Sequence, residues 1–145
     1  MSEIDEMVKE YGYTNFKVLK DEWSEYILED KTIIRIKTIP LKIIIQDSKY
    51  GVNTTIALAA FSPKELKGEP SDKKVDNSQA INSFDKADLT FEPKKEPWNE
   101  YELEDGTKLF LKTIAVQVSR TKLFDLYGDP IYWVNHQLIS KKYPI

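Results

Sequence analysis

The chain has 145 residues, with 21 Lys and Arg against 24 Asp and Glu, a formal net charge of -3 and no cysteine. Its length predicts one domain that buries about two thirds of its surface, so stability needs no disulfide or metal. With 41% hydrophobic and 31% charged residues, it is too rich in core-forming residues for a disordered protein and too charged for a membrane protein, which leaves a soluble globular protein.

Few groups in the sequence could carry catalysis. The absence of cysteine excludes thiol nucleophiles, thiolate zinc sites and redox pairs, and a single histidine, His136, is too little for a histidine-rich metal site. No motif for a nucleophile elbow, a phosphate-binding loop, a dinucleotide site or a zinc protease occurs. We therefore expect no metal and no cofactor, and we favour a protein that is not an enzyme.

Composition also bears on where the protein works. The acidic opening residues resemble neither a signal peptide nor a transit peptide, and no apolar run approaches the roughly 20 residues of a membrane helix. We expect a cytoplasmic protein with no membrane partner. Its 19 Lys, 13 Glu and two Arg fit either a hyperthermophile or a mesophile with a low-GC genome.

The first predicted element is a helix over Glu3–Tyr11. Ser2 is placed to cap it, Asp5 occupies the capping-box position, and Gly12 follows as a stop. One face of this helix would be apolar, since the sequence places four apolar residues at helical spacing: Ile4, Met7, Val8 and Tyr11.

An internal repeat follows and organises the rest of the chain. Residues 23–39 read WSEYILEDKTIIRIKTI and residues 98–114 read WNEYELEDGTKLFLKTI, with ten of 17 positions identical at a constant spacing of 75 residues. Each repeat is predicted to be a hairpin, because Asp105-Gly106 is typical of a primed turn. At Asp30-Lys31 we expect a different turn or some strain, because Lys tolerates a positive φ less well than Gly.

Period-two alternation after each turn sorts the side chains into two faces. We predict that the core face carries Thr32, Ile34, Ile36 and Thr38 in the first repeat and Thr107, Leu109, Leu111 and Thr113 in the second. The opposite face carries Ile33, Arg35 and Lys37, and Lys108, Phe110 and Lys112.

Further strands are predicted after each hairpin. The second hairpin strands continue through Leu41–Gln46 and Val116–Val118, with Pro40 at an edge or bend, and third strands cover Asn53–Phe61 and Ile131–Ile139. The fold class expected is mainly β: a small antiparallel β-barrel or sandwich of about six strands in a single domain, with one N-terminal helix. Two copies of a hairpin-plus-strand unit, 23–61 and 98–139, would build it, and a looser alignment places Tyr50-Gly51 opposite Tyr127-Gly128.

A charged connecting loop, residues 62–97, joins the two copies. Pro63–Gln79 predicts an exposed loop, with disorder as one interpretation. Ala80–Phe91 predicts a short helix followed by a strand, using Ile81, Phe84, Leu89 and Phe91 as its apolar residues.

Charge alternates with the repeat, since residues 1–30, 31–60, 61–105 and 106–145 sum to -6, +4, -5 and +4. One hypothesis is a basic platform with an aromatic side chain for single-stranded nucleic acid, formed by Arg35, Lys37, Lys108, Phe110 and Lys112. We disfavour it, because an acidic protein lacks the field that drives phosphate binding, and the polar outer face of antiparallel strands explains the same pattern.

Paired carboxylates in the repeats allow a second hypothesis, an enzyme or small-ligand barrel. A deep pocket flanked by Glu25, Glu29, Glu100 or Glu104 would support it. We favour a turn role for Asp30 and Asp105, since Asp bonds the turn backbone, and a surface or hydrogen-bonded role for His136.

The aromatic residues support the leading hypothesis, a non-enzymatic binding or assembly module. Most are expected in the core, including the repeated Trp23/Trp98 and Tyr26/Tyr101. An exposed subset would bind a protein partner or a second copy of the chain, since Trp and Tyr dominate interface hot spots. The candidates are Tyr132, Trp133 and Tyr143, and the C-terminal run Trp133–Ile145 is a candidate docking strand.

Overall fold

The computed structural model describes residues 12–46 and 49–143, so the helix predicted over Glu3–Tyr11 lies outside the described residues. Within them the protein is mainly β, as predicted, with nine strands in two antiparallel sheets and no closed barrel. In chain order the strands are β1 Phe16–Lys20, β2 Ser24–Leu28, β3 Ile33–Gln46, β4 Lys49–Phe61, β5 Phe84–Lys86, β6 Phe91–Lys95, β7 Asn99–Leu103, β8 Lys108–Phe124 and β9 Pro130–Tyr143. The strands beyond the six of the duplicated unit are the short β1, β5 and β6, of which β5 lies in the range Ala80–Phe91 where a strand was expected.

Two sheets divide the strands between the repeats. Sheet 1 has the order β4-β3-β2-β6 and holds the first repeat, whereas sheet 2 holds the second repeat in the order β9-β8-β7-β1, with β5 also on β8. The two short outer strands are exchanged: β1, which precedes the first repeat, pairs with β7, and β6, which precedes the second, pairs with β2. Each repeat is therefore completed by the strand that leads into the other.

The exchanged strands pair in the same register in both sheets. Phe16 lies opposite Leu103, and Phe91 lies opposite Leu28, which are the same positions at the repeat spacing. Phe16 packs edge-on against the ring of Tyr101 at 5.7 Å between centroids, and Phe91 packs on Tyr26 at 5.5 Å. The repetition therefore extends to the leading strands, where the sequences FKVLK and FEPKK show little identity beyond the first and last residues.

Both hairpin turns have the same three-residue geometry. Lys31 N–H donates to Leu28 O at 2.9 Å and Gly106 N–H donates to Leu103 O at 2.9 Å, with Lys31 and Gly106 at φ of 71° and 87°. The expected two-residue primed turn at Asp105-Gly106 is wrong, because the left-handed residue follows the turn as in a three-residue loop. Of the two alternatives for Asp30-Lys31, the same turn with Lys in the left-handed region is observed.

The predicted core face is confirmed in both repeats. All eight of its residues are buried: Thr32, Ile34, Ile36, Thr38, Thr107, Leu109, Leu111 and Thr113. Residues of both sheets share one cluster, since Ile34 and Ile36 of β3 group with Val118 of β8. At the crossing of β3 and β8, Thr38 and Thr113 hydrogen-bond through their hydroxyls at 2.7 Å. Because these residues are equivalent in the repeat, an approximate twofold axis passes between them.

The third strands, β4 and β9, are also equivalent in the two repeats, with one insertion in the loop before β9. Val52 pairs with Ile43 and Val134 pairs with Val118, so Val52 and Val134 are equivalent. The same register makes Tyr50 equivalent to Tyr132, and the looser alignment with Tyr127 is wrong, because the β8–β9 loop is longer than the β3–β4 turn. Pro40 is followed by a register shift in the β3–β4 ladder, as the predicted bend requires.

The connecting segment is anchored on sheet 2. After a 3₁₀ turn at Lys64–Leu66, Gly68 N–H donates to Gly128 O at 2.9 Å. The short helix, α1 Asn77–Ile81, begins earlier than predicted: it overlaps the expected range Ala80–Phe91 only at its end and starts in the expected loop Pro63–Gln79, where Asp76 and Gln79 cap it reciprocally. The strands β5 and β6 then follow. The segment expected to be an exposed loop therefore makes backbone bonds to the loop between β8 and β9.

We expect Lys31→Gly to raise the free energy of unfolding by about 0.5–1 kcal/mol, because Gly removes the strain of a left-handed Lys. The side chain of Lys31 is exposed, so little packing is lost. Denaturant unfolding measures the change. The reverse variant, Gly106→Lys, should lower stability by about 1 kcal/mol, and a loss in both variants would contradict the argument.

Candidate functional site

A partly buried ionic cluster links the first hairpin turn to sheet 2. The Asp30 carboxylate accepts hydrogen bonds from Tyr132 OH at 2.7 Å and from Arg120 Nη1 at 3.0 Å, both at Oδ2. Its other oxygen accepts the Thr32 N–H at 2.9 Å. Arg120 also donates from Nε to Asp85 at 2.9 Å. The carboxylate joins a turn of sheet 1 to β8 and β9 of sheet 2.

Hydrogen bonding sets the charge state of this cluster. Burial by itself would raise the pKa of Asp30, but the bonds from Tyr132, Thr32 and Arg120 outweigh it and hold the pKa below its ordinary value. Burial raises the pKa of Tyr132 to about 12. Asp30 is therefore ionised and Tyr132 is a neutral donor at neutral pH, an arrangement that stabilises the fold and leaves neither group as a general base.

The cluster has no counterpart at the second turn. Asp105 makes the same bond to the Thr107 N–H at 2.9 Å, but it is exposed. The strand registers place Ile45 where β8 has Arg120, and Tyr50 approaches Thr107 at 3.3 Å without reaching the carboxylate. The turn role predicted for Asp30 and Asp105 accounts for both, and Asp30 has the additional ionic role.

Two equivalent tyrosines at the centre differ in their hydrogen bonds. Tyr26 OH donates to Glu96 and accepts the Ala115 N–H at 2.9 Å. Tyr101 is equally buried, yet its hydroxyl has no partner among the described residues. The repeat spacing puts Pro40 where Ala115 stands, and proline has no N–H to donate. Burial and then the charge of Asp21 raise the pKa of Tyr101 to about 12.

Glu29 and Glu104 hold the exchanged strands in place. Glu29 Oε1 accepts the Thr90 N–H at 2.8 Å and Glu104 Oε1 accepts the Asn15 N–H at 3.3 Å, just before β6 and β1 respectively. The Thr90 N–H, then Lys86, lowers the pKa of Glu29. These glutamates therefore have a structural role, since each accepts a backbone N–H at the start of an exchanged strand.

Two equivalent surface clefts lie beside the turns. One, of about 410 Å³, is lined by Phe16 and Glu104, and the other, of about 340 Å³, by Phe91 and Glu29. Both are open, and neither is lined by Glu25 or Glu100. The deep pocket that would support a carboxylate enzyme is not found at these positions.

The five candidate nucleic-acid residues are divided between the outer faces of the two sheets. Arg35 and Lys37 lie on β3, whereas Lys108, Phe110 and Lys112 lie on β8. On sheet 1 the charges are neutralised: Arg35 Nε is 2.8 Å from Glu25 and Lys37 Nζ is 3.1 Å from Asp21. The five residues therefore do not form one platform.

The three candidate partner-binding residues also lie in different environments. Tyr132 is buried in the ionic cluster, Trp133 Nε1 donates to Asn77 Oδ1 at 2.9 Å, and Tyr143 is exposed. His136 is half-buried on β9, opposite Ala115. Partner binding by these residues stays a prediction, for which Tyr143 has the most accessible surface.

Sequence reasoning missed the edges of the sheets and the partners of Asp30. Among the strands that the structure describes, β4 and β9 each pair on one side only, so each ends its sheet. Arg120, one of two arginines in the chain, was not singled out. Its position after the repeated segment, where the first copy has Ile45, is the only signal that could have pointed to it.

Comparison with other proteins adds no assignment. The chain matches no protein-family model, no curated protein and no solved structure. Among the described residues, no group of three or more His, Asp or Glu could hold a metal ion. No helix in the described part of the chain is long and apolar enough to cross a membrane. The candidate functions must be argued from the surfaces and contacts above.

The two central tyrosines should respond oppositely to loss of the hydroxyl. Tyr26→Phe should lower the free energy of unfolding by about 1–3 kcal/mol, because it leaves the buried Ala115 N–H without its acceptor. Tyr101→Phe should be neutral or stabilising, because it removes an unpaired hydroxyl. Denaturant unfolding of both variants tests this, and equal losses would show that Tyr101 has a partner after all.

Asp30→Asn should lower the free energy of unfolding at pH 7 by about 2–3 kcal/mol, because Arg120 and Tyr132 lose their anionic acceptor. The pKa of Asp30 is lowered in the folded state, so its contribution is present above about pH 4 and is lost as pH falls through the folded pKa. The difference between wild type and variant should therefore shrink in acid. Asp105→Asn, the equivalent change, is the control and should alter stability little.

Proposed function

We propose that the protein is a non-enzymatic assembly module of the cytoplasm that associates with a second copy of itself along the free edge of β4. In this proposal the fold is a two-sheet sandwich built from a duplicated unit. The observation that carries the proposal is the character of β4. It is a 13-residue edge strand whose sequence from Tyr50 to Phe61 has no charged residue.

An edge strand of this kind invites pairing. Its unpaired N–H and C=O groups form a template for another strand, and soluble proteins usually block such edges with charges, prolines or covering segments. β4 has apolar residues with 37% to 53% of their surface exposed: Ile56, Leu58 and Phe61. The edge is therefore both available for backbone hydrogen bonds and apolar on its side chains.

The second edge strand, β9, is better protected. It ends in Lys141 and Lys142, and its beginning contacts α1, where Trp133 donates to Asn77. If two copies of β9 paired in antiparallel register, these lysines would lie close to the start of the partner strand. Arg120 lies there, opposite Tyr132, and would repel them. On β4 the neighbouring cations lie only at the two ends, with Lys142 Nζ 4.2 Å from the Tyr50 ring and Arg35 Cζ 5.2 Å from the Phe61 ring, so the middle of the strand carries no charge.

Charge favours a second copy as the partner of β4. In a twofold antiparallel pair, each residue faces the residue at the same distance on the other side of the axis. Between Lys49 and Lys64 no charged residue exists to repel its counterpart. Self-pairing would continue sheet 1 into an eight-stranded sheet across the dimer and would bury Ile56 and Leu58.

The carboxylate-based enzyme is a weaker candidate. Arg35 and Lys95 lie 2.8 and 3.5 Å from the Glu25 carboxylate, and the bond from Arg35 leads among the causes that lower its pKa. Glu29 and Glu104 hold backbone N–H groups of the segments before the exchanged strands. These three carboxylates therefore already have structural partners, although Glu102 and Glu92 line the same open clefts as Glu104 and Glu29.

Ile56→Lys tests the assembly. Light scattering and sedimentation across a concentration series should show a dimer for the wild type and a monomer for this variant, because a charge on the edge opposes strand pairing. Leu138→Lys is the matched control: Leu138 lies opposite Thr113 as Ile56 lies opposite Thr38, and the two are 39% and 37% exposed. The control should remain dimeric. A monomeric wild type, or equal dissociation of both variants, would overturn the proposal.

A further inference from the structure

The outer face of sheet 2 carries an aromatic and basic cluster that sheet 1 lacks. Trp98, Phe110 and Tyr143 lie close together, and the rings of Phe110 and Tyr143 meet edge-on at 5.4 Å. Lys141 Nζ lies over all three, at 4.3 Å from Trp98, 5.2 Å from Phe110 and 5.8 Å from Tyr143. Lys112 Nζ is 5.0 Å from Trp98. We call these five residues the sheet-2 cluster.

Cations and rings alternate in the cluster both along and across the strands. On β8 the outer side chains run Lys108, Phe110, Lys112, spaced by roughly 6.6 Å per pair of residues. On β9 Lys141 lies opposite Phe110 and Tyr143 lies opposite Lys108. Phe110 therefore has a lysine on either side of it along β8 and a third across from it on β9. On its β7 side the neighbours are acidic, since Glu100 lies opposite Phe110 and Glu102 lies opposite Lys108.

The lysines of this face lack carboxylate partners. Among the described residues, no Asp or Glu lies within 4.0 Å of the ammonium groups of Lys108, Lys112 or Lys141. On sheet 1, by contrast, Asp21 neutralises Lys37, the equivalent of Lys112. The repeat places Glu96 where Asp21 stands, but Glu96 is bonded to Tyr26 OH. Because Glu96 bonds to Tyr26, the ammonium of Lys112 is left without the carboxylate that Lys37 has, and it can bind an anionic ligand.

From this geometry we infer that the sheet-2 cluster binds single-stranded nucleic acid. A strand of nucleotides alternates phosphates with flat bases, which matches the alternation of lysines and rings, and stacking on aromatic side chains beside a positive groove is how single strands are held without sequence preference. Lys141 occupies the rings in the free protein; bound phosphate would draw its ammonium away and uncover them.

Other ligand classes fit the cluster less well. A cationic ligand would suit three rings, but Lys112 and Lys108 repel it. A polyanion without bases would use the lysines and leave Trp98, Phe110 and Tyr143 without a role. The net charge of -3 predicts weak binding that depends steeply on salt, because only the local face is positive.

The inference differs from the five-residue hypothesis drawn from the sequence. It removes Arg35 and Lys37, which are neutralised on the other sheet, and adds Trp98, Lys141 and Tyr143. It is also independent of the assembly proposed above, because β4 lies at the edge of sheet 1. The monomeric Ile56→Lys variant should bind oligonucleotide as the wild type does.

Fluorescence anisotropy with a labelled oligo-dT of about 20 nucleotides tests the inference, since such a strand exceeds the roughly 4–16 nucleotides that comparable sites cover. We expect binding at low salt whose log affinity falls with log salt at a slope of about -2, for the two lysines of the cluster and the neighbouring Lys108 meeting phosphates. Phe110→Ala should weaken binding roughly 5- to 150-fold through loss of stacking. Lys112→Gln should reduce the salt slope by about 0.7.

Lys37→Gln is the matched control, since Lys37 also lies over a tryptophan, at 4.8 Å from Trp23, on sheet 1. It should leave binding unchanged, and circular dichroism confirms that each variant is folded. The inference is overturned by absence of binding at low salt, by equal effects of Lys37→Gln and Lys112→Gln, or by equal affinity for inorganic polyphosphate, which carries no bases.

Discussion

The exchange of two short strands is the constraint on which the rest of the structure depends. β2 and β7 carry the buried core residues Tyr26 and Tyr101. Without a further strand, each would have a free edge next to its tyrosine. That edge is closed by β6 and β1, each of which leads into the other repeat. Neither repeat can bury Tyr26 or Tyr101 under a phenylalanine without the other. The ring contacts, the two glutamates and the equivalent clefts all follow from this reciprocal closure.

Within this shared frame the two repeats have diverged at a few positions, and each change has an effect on the opposite sheet. Pro40 stands where the second repeat has Ala115 and has no N–H to donate as Ala115 does to Tyr26, so the Tyr101 hydroxyl has no partner among the described residues. Glu96, longer than Asp21 by one methylene, bonds Tyr26 and leaves Lys112 without a counterion. Arg120 gives one turn an ionic anchor that the other lacks. The twofold scaffold therefore carries two chemically different outer faces.

Local patterns in the sequence predicted what depends on neighbours along the chain. Alternation gave the buried face from Thr32 to Thr38 correctly, and the repeat predicted both hairpins. The turn type was wrong because Asp-Gly fits two loop lengths equally well. The exchange of β1 and β6 could not be predicted, since the pairing partners lie more than about 60 residues apart and the leading strands share little sequence. The five residues of the predicted basic platform lie on two sheets. Alternation along a strand predicts which side chains point outward, but it does not predict in which sheet the strand lies.

The order of the strands along the chain has a consequence for folding during synthesis. β2, β3 and β4 leave the ribosome in succession, but the strand that closes sheet 1 comes only after the whole connecting segment. β1 emerges first and has no partner until β7 is made. The first repeat therefore spends the synthesis of some thirty residues with an unclosed edge, and the acidic, proline-containing connection that separates the repeats sets the length of that interval.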